Sequence, residues 1–281
     1  MPTATTDGGD IHFTCSGDGA PVVMLLPQSS GPEGTDVFVG ALAERFMVVR
    51  YDPLGSGRSS PVPTADAVSM AARAGEVAAV LDALGIERAR LCCHSTGCGI
   101  GLSVASAAPE RVGGLVLMSP WTHADGHLTV MQRLRIAAAR ALGPQNYERF
   151  NASLLFPPDY RRAHEAGFDR LEATAAQQDA ARFEERLNAI LAFDARAILP
   201  GIACPTLVVT AADDQLMPVW FGREMARDIP GAEFIELLGG GHMIRRPRGA
   251  IWRRVSPIFS TVSEPRGAPP SGSFPTACKT F

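Results

Sequence analysis

The stretch "LCCHSTGCG", Leu91–Gly99, looks like a buried strand that stops at one serine, Ser95. A serine hydroxyl attacks a carbonyl carbon when a histidine takes its proton, and that histidine needs a carboxylate to fix its tautomer. The later segment "TAADDQLMP" offers Asp213 and Asp214, and "LLGGGHM" presents His242. These residue types in this order predict acyl-transfer chemistry, with Ser95 as the nucleophile and His242 as the base.

The residues around Ser95 fit a nucleophile elbow, the tight strand-to-helix turn that holds a catalytic serine, with one departure. The positions two before and two after the serine must be small, because strand and helix nearly touch there. Gly97 satisfies the second position, whereas Cys93 stands where a glycine is usual. We expect the strand to turn the small side chain of Cys93 away from the crowding. The competing interpretation is an ordinary helix start capped by Ser95 or Thr96.

The elements that must position these residues are strands that alternate with helices along most of the chain. Short apolar runs such as "PVVMLL", "ARLCC", "GGLVLM" and "TLVVT" are separated by helical segments, which predicts an α/β fold with a parallel sheet covered on both faces. Ser95, the aspartate pair and His242 each follow the carboxyl end of a predicted strand. In a parallel sheet those ends share one edge, where ligands bind. The sequence therefore predicts that the three groups meet.

The alternation of strands and helices is interrupted between residues 121 and 199. Two helical patterns, "TVMQRLRIAAARAL" and "FEERLNAILAF", flank a predicted loop, "LFPPDY". We therefore expect residues 1–120 and 200–263 to form one core and residues 121–199 to form an inserted helical cap. The segment 264–281 is rich in Pro, Gly and Ser, which predicts a disordered tail.

Composition limits the classes of protein to which the chain could belong. Of the 281 residues, 46% are hydrophobic and 20% are charged, which is enough for a large core. The net charge of -3 gives no electrostatic case for nucleic acid binding. No apolar run suits a membrane span, and the N-terminus does not resemble a secretory signal. The six scattered cysteines do not suggest a disulfide framework, so we expect a cytoplasmic location.

Residues 10–262 resemble the α/β-hydrolase superfamily. The segment "YDPLGSGRSS" is similar to the superfamily's D-x-x-G-x-G-x-S loop, and "PTLVVTAADDQLMP" is similar to its acid loop. The resemblance implies a mostly parallel, doubly wound sheet with an inserted helical cap, and it favours Asp214 over Asp213 as the acid. Within the superfamily the chain most resembles the aminoacrylate and carbamate hydrolases of bacterial pyrimidine degradation. Enol-lactonases and C–C bond hydrolases come next.

The same resemblance implies an oxyanion hole built from two backbone N–H groups. One is that of Thr96, and the other belongs to Ser29, or to Ser30 if the loop is shifted by one residue. Where the superfamily usually has His-Gly, this chain has Pro27 and Gln28. Proline has no N–H, and glutamine lacks the backbone freedom of glycine. This departure leaves open a reaction other than simple hydrolysis.

Three residues, Gln28, Trp121 and Arg245, are predicted to line the substrate pocket, the arginine by attracting an anionic group. His123 and His127 are four residues apart on a predicted helix, but a full set of metal ligands is missing from the sequence around them. We therefore expect neither a metal site nor a cofactor.

These observations predict a serine hydrolase that acts on a small ester, lactone, amide or carbamate. One alternative keeps the three groups but uses them for cofactor-free oxygenation, cyclisation or decarboxylation. A second alternative is a receptor that binds a ligand without turning it over. The expected partner is a small molecule, with no nucleic acid and no membrane, and a homodimer is left open.

Overall fold

The structure is a computed structural model that describes residues 2–25, 36–177 and 179–244. The strands in this part of the chain are β1 Thr3–Thr6, β2 Gly9–Ser16, β3 Ala20–Leu25, β4 Phe46–Tyr51, β5 Ala89–His94, β6 Val112–Met118, β7 Thr206–Ala211 and β8 Glu233–Leu237. The helices are α1 Asp36–Ala43, α2 Met70–Ala83, α3 Thr96–Ala107, α4 Gly126–Ala141, α5 Pro144–Leu155, α6 Pro158–Ala163, α7 Glu165–Ala173, α8 Ala180–Ala192 and α9 Val219–Asp228.

The strands form one sheet in the order β1-β2-β4-β3-β5-β6-β7-β8. The pairs β1–β2 and β2–β4 are antiparallel, and every other pair is parallel. This confirms the predicted α/β fold with a mostly parallel, doubly wound sheet. Strand β1 was not predicted, because the short run "TATT" at the sheet edge carries almost no hydrophobic pattern.

The two faces of the sheet are buried in separate hydrophobic clusters. On β5, Leu91 and Cys93 belong to the larger cluster, while Cys92 between them belongs to the smaller one. Successive side chains of a strand point to opposite faces, so this division shows helices packed against both sides. Strands β6 and β7 are buried along their whole length, as their continuous apolar sequences predict.

Two local predictions differ from the structure. The alanine-rich segment 65–85 predicts one long helix. In the structure this helix begins at Met70, because Ser69 has extended backbone and its hydroxyl accepts the N–H of Ala72 as a cap. A short 3-10 turn, Ala65–Val68, precedes it. The predicted loop "LFPPDY" contains the start of α6 at Pro158. A proline suits the first helical position, where its missing N–H would have no acceptor.

Five helices, α4–α8, lie between β6 and β7, and we call them the helical insertion. Across the described ranges, none of the helices combines the length and apolar character needed to cross a bilayer. The pattern of residues 249–262 predicts a final helix, and this segment lies outside the described residues, as does the tail 264–281.

Candidate active site

Ser95 lies at the junction of β5 and α3 in a backbone conformation that few residues adopt. Its φ is +52° and its ψ is -123°. Apart from glycines, only Ser119 shares a positive φ in the described part of the chain. A Cβ atom added at Gly97 would lie 2.1 Å from the carbonyl oxygen of Leu25, so no larger residue fits there. The turn therefore has the strain and the close approach of a nucleophile elbow.

Cys93 fits the elbow because the facing helix lacks a side chain. A Cβ atom added at Gly101 of α3 would lie 2.4 Å from the Cys93 sulfur. The cysteine therefore packs toward α3, and the expectation that it turns away from the helix was wrong. Gly101 has no side chain, and this leaves room for the Cys93 sulfur between β5 and α3.

Ser95, His242 and Asp214 form a continuous hydrogen-bonded chain. The Ser95 Oγ lies 2.8 Å from His242 Nε2, and His242 Nδ1 lies 2.9 Å from Asp214 Oδ2. Each of the three residues is at most 5% exposed. A carboxylate opposite Nδ1 favours a proton on that nitrogen, which leaves Nε2 free to accept the serine proton.

The two neighbouring aspartates have separate structural roles. The second oxygen of Asp214 accepts the N–H groups of Leu216 and Met217, each at 2.9 Å, which holds the carboxylate in place behind the imidazole. Asp213 instead accepts the N–H groups of Gly241 at 2.9 Å and Gly240 at 3.3 Å. Asp214 thus contacts the ring of the histidine, while Asp213 contacts the loop that carries it.

The backbone of His242 is held from two sides. Its N–H donates to the carbonyl of Leu155, at the end of α5, at 3.0 Å. Its own carbonyl accepts hydrogen bonds from His94 Nε2 at 2.9 Å and from the Ser119 hydroxyl at 3.0 Å. The imidazole position is therefore fixed jointly by the helical insertion and by the ends of β5 and β6.

A cavity of about 200 Å³ lies over Ser95 and His242. Helices α4, α5 and α8 of the insertion form much of its wall, with apolar contacts from residues such as Leu187 and Ile190. Thr96 also lines the cavity, at the first position of α3. The N–H groups of a first helical turn lack intrahelical acceptors and point outward, so this end of α3 favours negative charge in the cavity.

The same wall carries polar side chains that sequence analysis did not identify. They are Gln132, Arg135, Tyr147, Asn151 and Arg186. A signal was present, because Gln132 and Arg135 share the buried face of α4 with Leu128 and Ile136. Polar residues on the apolar face of an amphipathic helix indicate a cavity or a buried polar partner.

Trp121 lies apart from the described residues that line this cavity. It is fully buried, its ring meets the edge of Phe193, and its six-membered ring lies close to Gly99 of α3. These contacts are packing contacts between β6, α3 and the insertion, and a role for Trp121 in the substrate pocket stays a prediction. Gln28, Ser29 and Arg245 lie outside the described residues, as do Pro27 and Ser30.

Other side chains near the site that could act as nucleophiles or metal ligands are either buried or close to a hydrogen-bonding partner. Burial raises the pKa of the Cys93 and Cys98 thiols, so both stay protonated and unreactive near neutral pH. His123 lies within hydrogen-bonding distance of the Thr122 hydroxyl, and His127 of the carbonyl of Gln215. Among the residues that the structure describes, no group of three potential ligands is arranged to bind a metal ion.

Comparisons with known proteins identify similar chains and a similar fold. One relative, named "Putative carbamate hydrolase RutD", from Azorhizobium caulinodans, is 34% identical over 248 residues, which cover 86% of this chain and 91% of that protein. A protein of the same name from a Caulobacter species is 33% identical, with the same coverage of both chains. The crystal structure of the enol-lactonase from Burkholderia xenovorans superposes with a TM-score of 0.81. It is 24% identical and covers 92% of this chain and 100% of that one.

A family profile spans most of the chain, including β3, the serine turn, the helical insertion and the loop that carries His242. Residues 21–244 match the profile of the alpha/beta hydrolase fold. The match covers well over half of the chain, and the curated relatives align over nearly their whole length. The chain belongs to the alpha/beta hydrolase fold family.

Proposed function

We propose that the chain is a serine hydrolase in which Ser95 is the nucleophile, His242 the general base and Asp214 the acid that orients it. The observation that carries the proposal is the hydrogen-bonded chain from Ser95 Oγ through the imidazole to Asp214, which ends beneath a cavity. A core histidine would not be expected to bridge a strained serine and a buried carboxylate. Family membership and the hydrolase relatives support the same class of reaction.

The reaction follows from the positions of these groups. Ser95 Oγ attacks the carbonyl carbon while Nε2 of His242 takes its proton, and Asp214 stabilises the resulting imidazolium. The N–H of Thr96 would donate a hydrogen bond to the oxyanion, as would that of Ser29 from outside the described residues, each contributing about 3 kcal/mol. His242 then protonates the leaving group and activates a water that releases the acyl group.

The substrate class is a small ester, lactone, amide or carbamate. A cavity of about 200 Å³ among the described residues suits a small molecule. The relatives support this range, since one group is named for carbamate hydrolysis and a structural neighbour is an enol-lactonase. The proposed chemistry requires no metal or cofactor, because the base and the oxyanion donors are protein groups.

We also propose that the helical insertion is the cap predicted for residues 121–199, set on a core of residues 1–120 and 200–263. Its helices α4, α5 and α8 form the cavity wall opposite Ser95. The sheet edge would then supply the chemistry, and the cap would supply the contacts that select a substrate.

Labelling with a fluorophosphonate probe tests the nucleophile directly. Intact-mass and peptide mass spectrometry should show one adduct, on Ser95, and a p-nitrophenyl ester should be turned over. The Ser95→Ala variant should lose both. Ser103→Ala is a matched control, because Ser103 lies on α3 with its hydroxyl bonded to the carbonyl of Gly99.

The outcome also separates the alternatives. An adduct on a residue other than Ser95, in a preparation that turns over the ester, would contradict the assignment. A ligand-binding receptor would bind the ester or its product without turnover. Full turnover by Ser95→Ala would exclude the covalent route.

A further inference from the structure

Two arginines line the cavity over Ser95, although buried arginines are rare without a charged partner. Arg135 of α4 is 7% exposed, and Arg186 of α8 is partly buried. Both guanidinium groups lie near the ring of Phe183, at 5.4 Å and 5.6 Å from its centre. Helices α4 and α8 thus place two cations against one aromatic side chain.

Neither arginine has an acidic partner at ion-pair distance within the described ranges. Arg135 donates to the Gln132 amide oxygen at 3.0 Å, and burial lowers the pKa of both guanidinium groups. Elsewhere in the insertion, Arg140 pairs with Glu184. Burying a cation without an anion is unfavourable, so the arrangement favours the entry of an anion.

The neighbouring polar groups extend this donor surface. The amide nitrogen of fully buried Gln132, the Asn151 amide oxygen and Nε of both arginines have no hydrogen-bond partner in the described structure. Buried polar groups in proteins are normally paired, and an unpaired set around one cavity indicates a polar ligand. Most of these groups are donors, which matches a ligand rich in oxygen acceptors.

The acidic groups near the cavity form no ion pair with the two arginines in the described structure. Glu148 also lines the cavity, and burial raises the pKa of its carboxyl. The Tyr147 hydroxyl contacts the same region, and burial raises its pKa as well, so it stays neutral and able to donate. Asp214 is already engaged by His242 and by two backbone N–H groups.

We infer that Arg135 and Arg186, with Gln132 and Tyr147, bind a carboxylate carried by the substrate at the end remote from the bond that Ser95 attacks. This inference rests on the proposed hydrolase function, because it places the anion in the cavity that the nucleophile faces. A guanidinium binds a planar carboxylate through two parallel hydrogen bonds. The preferred substrate would then be a short acyl compound with a second, free carboxylate.

Matched ester pairs test the inference. Mono-p-nitrophenyl glutarate and p-nitrophenyl pentanoate differ only by a carboxylate in place of a methyl group, and the succinate–butanoate and adipate–hexanoate pairs vary the distance. The natural chain should favour at least one carboxylated ester by about tenfold or more in kcat/KM. In Arg135→Gln and Arg186→Gln the ratio should fall at least about tenfold, mainly through KM for the carboxylated ester.

Arg140→Gln is the control, since Arg140 lies on the same helix as Arg135 but is exposed and paired outside the cavity. It should keep the natural ratio. Equal losses on both esters in Arg135→Gln would show a structural role and overturn the inference. A natural chain that prefers the neutral ester at every length would overturn it as well.

Binding without turnover distinguishes failure of the subsite from failure of the proposed function. Glutarate should bind the Ser95→Ala variant in calorimetry, and adding Arg135→Gln should weaken binding at least about tenfold. Glutarate binding without turnover of any ester would refute the proposed function but retain the anion site. Ester turnover without glutarate binding would refute the anion site alone. Inorganic phosphate that binds more tightly than glutarate would overturn the assignment to a carboxylate.

Discussion

Ser95 adopts a backbone conformation that is costly for a residue with a side chain, and its surroundings hold it there. Its N–H donates to the carbonyl of Met118 at 2.9 Å, and its own carbonyl accepts the N–H of Cys98 at 2.7 Å. Gly97 allows α3 to approach β3 closely enough to keep the turn sharp. The hydroxyl is consequently presented to His242 before any substrate arrives, which would reduce the reorganisation needed for attack in the proposed reaction.

The two aspartates should respond very differently to removal of charge. Asp214→Asn should lower kcat/KM for a p-nitrophenyl ester by about 10⁴-fold, because an amide opposite Nδ1 favours the wrong tautomer of His242. Asp213→Asn keeps one oxygen that accepts from the Gly241 loop, so its loss should be about tenfold or less. Steady-state kinetics of both variants checks the ranking, and the reverse ranking would contradict the assignment of the acid.

At this scale the sequence predicted some residues of the candidate site and missed others. Ser95, Asp214 and His242 could be predicted from the sequence because each follows a predicted strand. The carboxyl ends of parallel strands lie at one sheet edge, which places the three residues together. The structure brings these three together. Arg135 and Arg186 were missed. The polar residues on the apolar face of α4 were a signal, but the cavity that this face lines depends on how α4 and α8 pack over the sheet. That packing is a tertiary property, which local patterns do not encode.

At the scale of elements, the contact between β5 and α3 depends on the pair Cys93 and Gly101. Gly101→Ala should lower the free energy of unfolding by about 1–3 kcal/mol, because the added methyl overlaps the cysteine sulfur. Cys93→Gly should also destabilise, by leaving a cavity. The double variant should recover much of the loss, since each change compensates for the other.

Urea denaturation of the four proteins measures this coupling. Additive losses in the double variant would show that the two positions do not compensate. Gly97→Ala provides the contrast, because its added methyl meets the backbone carbonyl of Leu25. No side-chain change at Leu25 would relieve that contact.

The loop that carries His242 also depends on an element outside the sheet. Gly241 has a φ of +63°, and a Cβ atom there would lie 2.8 Å from the Leu155 carbonyl at the end of α5. Gly241→Ala should push the loop away from α5 and lower kcat/KM at least about tenfold, since a small misplacement of the base is costly.

Gly231→Ala separates this effect from backbone strain. Gly231 has a φ of +71° in the turn before β8, and nothing lies within 4 Å of an added Cβ atom. Both variants should lose about 1 kcal/mol of stability from strain, but Gly231→Ala should keep its kcat/KM. Thermal denaturation and ester kinetics on the same samples decide between the two effects. Equal kinetic losses would mean that contact with α5 is unimportant.

The elements themselves were largely predictable, because buried parallel strands have continuous apolar sequences and helices have a period near 3.6. Strands β3, β5, β6 and β7 lie where "PVVMLL", "ARLCC", "GGLVLM" and "TLVVT" predicted them, and the apolar runs "MVVRYD" and "EFIEL" predict β4 and β8 in the same way. The predictions of helix bounds were wrong where a single capping residue or proline outweighed the wider sequence pattern. Ser69 provides a cap that divides one predicted helix, and Pro158 begins a helix where two prolines suggested a loop.

At the scale of the whole molecule, one hydrophobic cluster joins the sheet to the helical insertion. It contains Leu91 and Leu115 of the sheet together with Leu128, Phe183 and Leu187 of the insertion. Packing in protein interiors is dense and strain is transmitted through it, so the two parts should unfold together. The proposed cap would then be a distinct part of the substrate site but not a separate folding unit.

Trp121→Ala tests whether the sheet and the helical insertion unfold together. Trp121 is fully buried where β6 leads into the insertion, and its ring contacts both α3 and Phe193. Removing the indole should cost about 3–5 kcal/mol and lower the Tm of the whole chain in one transition. The ratio of kcat/KM between long and short acyl esters should stay unchanged, because Trp121 lies outside the described cavity wall. Calorimetry, with loss of ester turnover as a second probe, should give coincident midpoints.

Trp220→Ala is the control, since Trp220 is 46% exposed and its removal should cost much less stability. Two separate transitions would show an independent cap, and a changed ester ratio at an unchanged Tm would return Trp121 to the substrate pocket.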